Sequence, residues 1–276
     1  MGIEWPLVLF TVFAGAGAGV LAFAGLGEFL GAGKKARFIA SILALVLLVV
    51  GGCLSLLHLG NASNFMAAAT NLFSFSPISL ELIFLGLGVV VAIIYLVLVN
   101  RESSASKALG VIGIVIGVLF CYASGHGYEV IAVRPAWSTP ALTFSYALSA
   151  LALGGFLFLA LQMLFKDEAT SVKKMAMVVL VVAALETILY VAYGALAPLG
   201  ESAAIFWVGA VIVGGVVAVV AGVLAWMKNN AGMAWIGLLT VLIGAIAFRA
   251  VMWLAGSMLI PSFFDLAANS RGLFPF

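Results

Sequence analysis

The sequence predicts an all-α integral membrane protein, a bundle of eight transmembrane helices with both termini outside. Three observations carry that expectation. Of 276 residues, 66% are hydrophobic and 8% charged, more apolar surface than one soluble core of this length can hide. The apolar residues fall into eight runs, each near or above the roughly 20 residues needed to cross a bilayer. Lysine and arginine gather in alternate connections.

The first run, 6–32, follows Glu4 and Trp5 with no basic residue before it, so a retained helix with an interfacial start is expected instead of a cleavable leader. Gly15 and Gly19, and Gly27 and Gly31, have the four-residue spacing of small residues that lets helices approach closely in lipid. The second run, 37–60, begins after Lys34 and Lys35 and closes on SLLHLG, which contains His58. The third, 79–99, carries Glu81 near its start and stops before Arg101. The fourth, 107–125, ends at SGHGYE, a glycine-flanked boundary that reads as a loop around His126. The last four runs are 141–165, 172–196, 203–227 and 232–259. Nothing resembles a linker or a second domain, so residues 1–276 read as one transmembrane domain.

One set of connections holds Lys34, Lys35, Arg37, Arg101, Lys107, Lys166, Lys173, Lys174 and Lys228; the other holds Arg134 and Arg271. By the positive-inside rule the first set is cytoplasmic and both termini lie outside. The longer outer connections, 61–78 and 126–140, are the expected docking side for partners. A net charge of +2, scattered along the chain, excludes a nucleic-acid partner. Cys53 and Cys121 lie inside apolar runs and read as small hydrophobes. The GAGAG stretch at 15–19 is within a span, so it is no phosphate loop. With no HExxH, CxxC or paired-carboxylate spacing, no metal is expected in this chain.

Ionisable groups inside the apolar layer are the informative ones, because each costs about 2.5–3.5 kcal/mol at a helix centre on insertion scales. At about 1.5 Å per residue, His58 lies roughly 32 Å along its span from the cytoplasmic side, Arg249 roughly 26 Å and Glu186 roughly 21 Å. Glu81 opens the third span at the outer rim. Plain roles exist for each. Arg249 and Glu186 are near enough in depth to pair between helices, Glu81 suits a helix start, and an interfacial histidine can bond a carbonyl. However, Gly51, Ser55 and His58 fall at 0, +4 and +7 on one face, a stripe that admits a ligand or another helix. Glu186, Tyr190 and Tyr193 form a second polar and aromatic face. An imidazole that gains and loses protons near neutral pH suits a membrane quinol, whose hydroxyls lose protons as they lose electrons. Haem held by His58 and His126 is the weaker use of the same residues. A secondary transporter would place its charges nearer the midplane, between inverted repeats. A purely structural anchor remains the third class.

Several stretches carry a resemblance: EWPLVLFTVF (4–13), SLLHLGNASNF (55–65), ISLE around Glu81, RPAWSTP (134–140) and FRAVMW (248–253). In this order they resemble the membrane-anchor subunit of the dimethyl sulfoxide reductase family of molybdoenzymes, over nearly the whole chain. The resemblance implies a subunit of the prokaryotic cytoplasmic membrane that holds two partners on the outer face. One is a four-cluster ferredoxin-like iron–sulfur subunit; the other is a catalytic subunit carrying a molybdenum bis-pterin cofactor. It implies menaquinol as bound substrate, oxidised without haem in anaerobic respiration, with quinol dehydrogenase activity only within the complex. The family's quinol-site histidine falls on His58, its acidic partner on Glu81 and its last-helix arginine on Arg249. With Ser55 these form the expected quinol site, His58 and Glu81 taking the protons; Glu186, Tyr190 and Trp137 are its expected supports. The chain departs from the family pattern where a glutamine is common in the first helix, here Gly15, and where tryptophan and arginine precede the acidic residue, here Pro77 and Leu80.

Overall fold

The computed structural model describes residues 2–57, 66 and 70–256. Eight helices long and apolar enough to span a membrane run up and down among them: α1 Trp5–Leu30, α2 Lys34–Leu56, α3 Pro77–Asn100, α4 Ala105–Glu129, α5 Pro140–Leu164, α6 Ala169–Leu196, α7 Gly200–Lys228 and α8 Ala231–Ala255. No strand occurs among the described residues. The alternation puts Trp5, Leu56, Pro77, Glu129, Pro140, Leu196 and Ala255 at one end of the bundle, here the Trp5 end, and the basic connections at the other, the Lys34 end.

Two helices form the centre. About three quarters of the apolar stretch of α1 (78%) and of α5 (72%) is buried, against 28–44% for the other six. Helices α2, α3 and α4 pack on one side of this pair and α6, α7 and α8 on the other. Small residues explain the choice. A methyl group on Gly19 would run into the Ala150 carbonyl oxygen, and one on Gly154 into the Gly19 backbone, so α1 and α5 meet backbone to backbone as the Gly15/Gly19 spacing predicts. Gly25 and Gly110 make a second such crossing, between α1 and α4.

Gly31 differs from expectation. It terminates α1 in the left-handed region (φ 80°), its amide bonding the Gly27 carbonyl, as a C-terminal glycine does. Gly31 is thus a helix stop, whereas Gly27 packs closely, an added Cβ there standing 2.8 Å from the Phe158 ring of α5. Three other boundaries also move. Helix α3 starts two residues early, because Pro77 suits the first turn and the Ser76 hydroxyl accepts from the Ser79 amide at 3.2 Å. Helix α4 runs through SGHGYE to Glu129, so His126 is helical where a loop was expected. Helix α7 widens to π-helical turns over Phe206–Val217, bringing Gly214 against Gly244 of α8.

Candidate functional site

The site is built where α1, α3, α4, α5, α6 and α8 meet near the Trp5 end. Arg249 is six residues from the end of α8, about 9 Å in at 1.5 Å per residue, and only 1% exposed. Its Nε donates to Thr11 Oγ1 on α1 at 3.0 Å. Its Nη1 donates to Ser149 Oγ on α5 at 3.1 Å and to the Ala245 carbonyl at 3.2 Å. The guanidinium also lies 4.3 Å from the centre of the Tyr146 ring, a cation–π contact strengthened by the lack of water. A charge this deep is therefore held by hydroxyls and a ring face from the two central helices, α1 and α5.

The expected Arg249–Glu186 pair does not form. The ion pairs among the described residues lie elsewhere, and neither Glu186 carboxylate oxygen has a hydrogen-bond partner although the residue is fully buried. Arg249 is turned toward α1 and α5, whereas Glu186 sits on α6 one turn before Tyr190. The Tyr190 hydroxyl lies beside this carboxylate without closing a hydrogen bond among the described residues, and Arg249 is within electrostatic reach of both. The Glu186/Tyr190/Tyr193 face does point inward, all three buried, with Tyr193 donating to the Ala136 carbonyl at 2.9 Å.

Glu81 is half-buried in the second turn of α3. Its Oε1 is shut off from solvent and lies beside the Ser124 hydroxyl of α4, close enough to attract it, yet neither closes a hydrogen bond among the described residues. The capping role belongs to Ser76, so Glu81 does not close the helix start. Tyr146 lies within electrostatic reach of both Glu81 and Arg249, and Tyr128 packs 5.5 Å from Tyr146, ring to ring. Serine 124 and tyrosines 128 and 146, with Thr11 and Ser149, are the residues that sequence reasoning passed over. Their signal was present, since Ser124 and Tyr128 are four apart on α4 and Tyr146 and Ser149 three apart on α5.

The end of α2 comes alongside. A methyl group on Gly52 would touch Leu85 of α3 at 3.3 Å, one helical turn from Glu81. Gly51 is closed against Ala14 of α1, so the stripe meets a helix there. Ser55 donates its hydroxyl to the Gly52 carbonyl at 2.7 Å, leaving its oxygen free to accept. His58, the next member of the stripe, lies outside the described residues, as do 59–65.

Trp137 is 2% exposed. Its indole N–H donates to the Met252 carbonyl at 2.8 Å, and its ring meets Trp253 and Tyr128 edge-on at 4.9 and 5.4 Å. Arg134 covers it, 4.4 Å above the ring, and bonds the Gly256 carbonyl. The 130–139 connection thus closes the bundle end with an aromatic cluster. Gly15 is packed so tightly that an added Cβ would stand 2.9 Å from Ala150 Cβ, so the α1–α5 contact leaves no room there for a longer side chain. Cys121 donates weakly to the Gly15 carbonyl at 3.8 Å, and both cysteines are free. His126 stacks on Tyr122 at 5.6 Å. Among the described residues no group of three or more His, Cys, Asp or Glu side chains is arranged to hold a metal.

No curated protein sequence matches the chain. Among protein families, residues 1–223 match the one described as DMSO reductase anchor subunit (DmsC). The match covers α1 to α6, most of α7 and the positions of His58 and Glu81, and stops before Arg249, whose place in the site rests on its bonds to Thr11 and Ser149. An eight-helix membrane bundle, an anchor's architecture and a match over some four fifths of its length place this chain in the family of DMSO reductase anchor subunits.

Proposed function

We propose that this subunit, besides anchoring its complex, oxidises menaquinol at the Trp5 end and passes the electrons to an iron–sulfur subunit docked there. The observation that carries this is the polar pair Glu81 Oε1 and Ser124 Oγ, adjacent but without a closed hydrogen bond among the described residues, with Tyr146 between it and the buried cation of Arg249. Unmet acceptors and donors in an apolar layer are costly, and a ligand hydroxyl would satisfy them. A quinol fits that need: a flat apolar ring for an aromatic wall, with one hydroxyl at each end.

In this reading His58 and Glu81 each take one hydroxyl proton as two electrons leave, yielding quinone. Ser124 and Ser55 orient the hydroxyls. Arg249, fixed by Thr11 and Ser149, stabilises negative charge developing on the ring, and Trp137 with its loop excludes water from that end. The electrons pass to a four-cluster ferredoxin-like subunit and on to a molybdenum bis-pterin catalytic subunit, both on the outer face of a prokaryotic cytoplasmic membrane. Protons and electrons then exit on the same side, so turnover moves no net charge. Glu186 and Tyr190 form the inner wall.

The test is quinol-dependent acceptor reduction by the assembled complex. His58→Leu should abolish it while a soluble electron donor to the partner subunits still supports turnover. Unchanged quinol-dependent activity in that variant would leave a purely structural anchor as the function.

A further inference from the structure

Glu186 has no chemical task in the quinol reaction proposed above, yet it is fully buried. It lies ten residues from the end of α6, about 15 Å in at 1.5 Å per residue and one turn deeper than Tyr190. Neither of its carboxyl oxygens closes a hydrogen bond among the described residues, and neither does the Tyr190 hydroxyl beside it. Arg249 acts on both from α8, but its hydrogen bonds go to Thr11, Ser149 and the Ala245 carbonyl. Tyr190 in turn stands beside Ser149 of α5, walled in by Phe206 of α7 and Phe248 of α8 at 6.2 and 5.1 Å.

The Lys34 end shows what this fold does with an ionised carboxylate. Glu28, nearly as buried, is bonded to the Arg37 guanidinium and also accepts from the Tyr95 hydroxyl. Glu186 has an arginine close enough to feel and none bonded. In an apolar layer an ionised carboxylate without a bonded donor is heavily penalised. An un-ionised one escapes that penalty and gains an O–H with which to bond, as when an apolar site keeps a carboxylic acid neutral so that it can donate. Tyr190, one turn away on the same face, is the acceptor within reach. Beyond Glu186 toward the Lys34 end, the inward face of α6 is apolar through Ala183, Val179, Ala176 and Val172. The polar line from the Trp5 end therefore stops at Glu186, and a proton held there has no onward acceptor along this face.

We propose that Glu186 is a positioning residue of the quinol site: it stays un-ionised, donates its proton in a hydrogen bond to Tyr190, and leaves the Arg249 charge without a counter-ion. This inference rests on the quinol reading. Tyr190 then donates to Ser149, which accepts from Arg249, so the acid braces the arginine through two hydroxyls without cancelling it. The charge so preserved faces the anion that forms when a quinol hydroxyl gives up its proton to His58 or Glu81. An ionised Glu186 would do the reverse, neutralising Arg249 before that anion develops.

The experiment is infrared difference spectroscopy of the detergent-solubilised full chain at neutral pH, parent minus variant, with quinol-dependent turnover of the assembled complex alongside. The parent should show the carbonyl stretch of an un-ionised carboxylic acid that Glu186→Gln loses and Tyr190→Phe shifts, since phenylalanine takes away its bonding partner. Glu186→Leu, which cannot brace Tyr190, should lower kcat per folded complex by about 10²-fold, the size of a small misplacement at a reacting centre, with KM unchanged, as for an interaction made in the transition state. Glu186→Gln, whose amide still donates to Tyr190, should restore most of that loss. A parent without the acid band, or a Gln variant as impaired as the Leu variant, would make Glu186 the counter-ion of Arg249 and overturn the proposal. Full turnover in Glu186→Leu would overturn it too. An acid band beside turnover that survives His58→Leu would instead overturn the quinol reading while leaving Glu186 its proton.

Discussion

The two ends of the bundle treat polar groups in opposite ways. At the Lys34 end they are matched: Arg37 with Glu28, Lys34 with Glu102, Tyr95 with the Ala24 carbonyl, the Gly33 amide with Asp167 at 2.7 Å, and Gln162 with Ser171 at 3.1 Å. At the Trp5 end Arg249, Arg134, Trp137 and Tyr193 are bonded, but their neighbours are not. Of the nine buried side-chain atoms without a hydrogen bond among the described residues, eight lie on Glu81, Ser124, His126, Ser145, Glu186, Tyr190 and Trp253, near that end; Gln162 Oε1 alone lies at the other. Among the described residues, one end of this protein is finished by its own side chains, whereas the other keeps buried polar atoms without a hydrogen bond, the feature on which the proposed quinol site rests.

Substitutions should separate the two ends. The largest effect belongs to proton transfer. Glu81→Gln should lower quinol-dependent turnover by about 10²–10⁴-fold, the range of a lost acid–base group, while the melting temperature of the detergent-solubilised protein stays level or rises, because a neutral amide replaces a half-buried acid. A parallel loss of stability would place Glu81 with the matched groups of the other end. In sealed proteoliposomes the intact complex should oxidise quinol with no voltage across the membrane, and a voltage-sensitive dye that responded would move the proton exit to the Lys34 side.

The reverse pattern is expected of Arg37→Ala. It strands the Glu28 side chain, only 4% exposed, and should destabilise by about 3–5 kcal/mol, as breaking a buried pair does. Turnover per folded complex should be retained. The smallest effect belongs to the exposed pair. Lys34, by its hydrogen bond and charge, holds the Glu102 carboxyl below the ordinary value of 4.5. The pair's contribution is thus present above that value and disappears as pH falls through the lowered one. Since 43% of Lys34 and 73% of Glu102 are exposed, Glu102→Gln should leave the melting temperature at neutral pH unchanged.

Much of this was legible in the sequence. Hydropathy alone gave eight spans, since a bilayer demands long apolar runs whatever the packing, and Gly15 and Gly19 announced a close helix contact, though not that α5 would make it. Gly31 did not declare itself, because spacing cannot distinguish a glycine needed for its left-handed φ from one needed for its size. The widened turns of α7 likewise leave no mark on composition. For the site, Glu81, Arg249 and Glu186 stood out because ionisable groups are rare in spans. Thr11 and Ser149 did not, because hydroxyls are common there and bond back to their own helices. Both do so, Thr11 to the Leu7 carbonyl and Ser149 to the Tyr146 carbonyl, each at 3.0 Å, and still accept from Arg249. Depth placed Arg249 and Glu186 near each other but could not say which way the arginine turns.

The backbone crossing of Gly19 and Gly154 has a consequence for the arginine above it. Thr11 and Ser149 grip Arg249 from the two helices that this crossing clamps together, so the width of the guanidinium's socket is set by a pair of residues that never touch it. The crossing acts as a gauge block. A side chain added at Gly19 would push the helices apart and pull one hydroxyl out of reach, loosening the grip on the charge at a distance of about two helical turns. Drift at these two mid-span glycines would be felt at the arginine's socket.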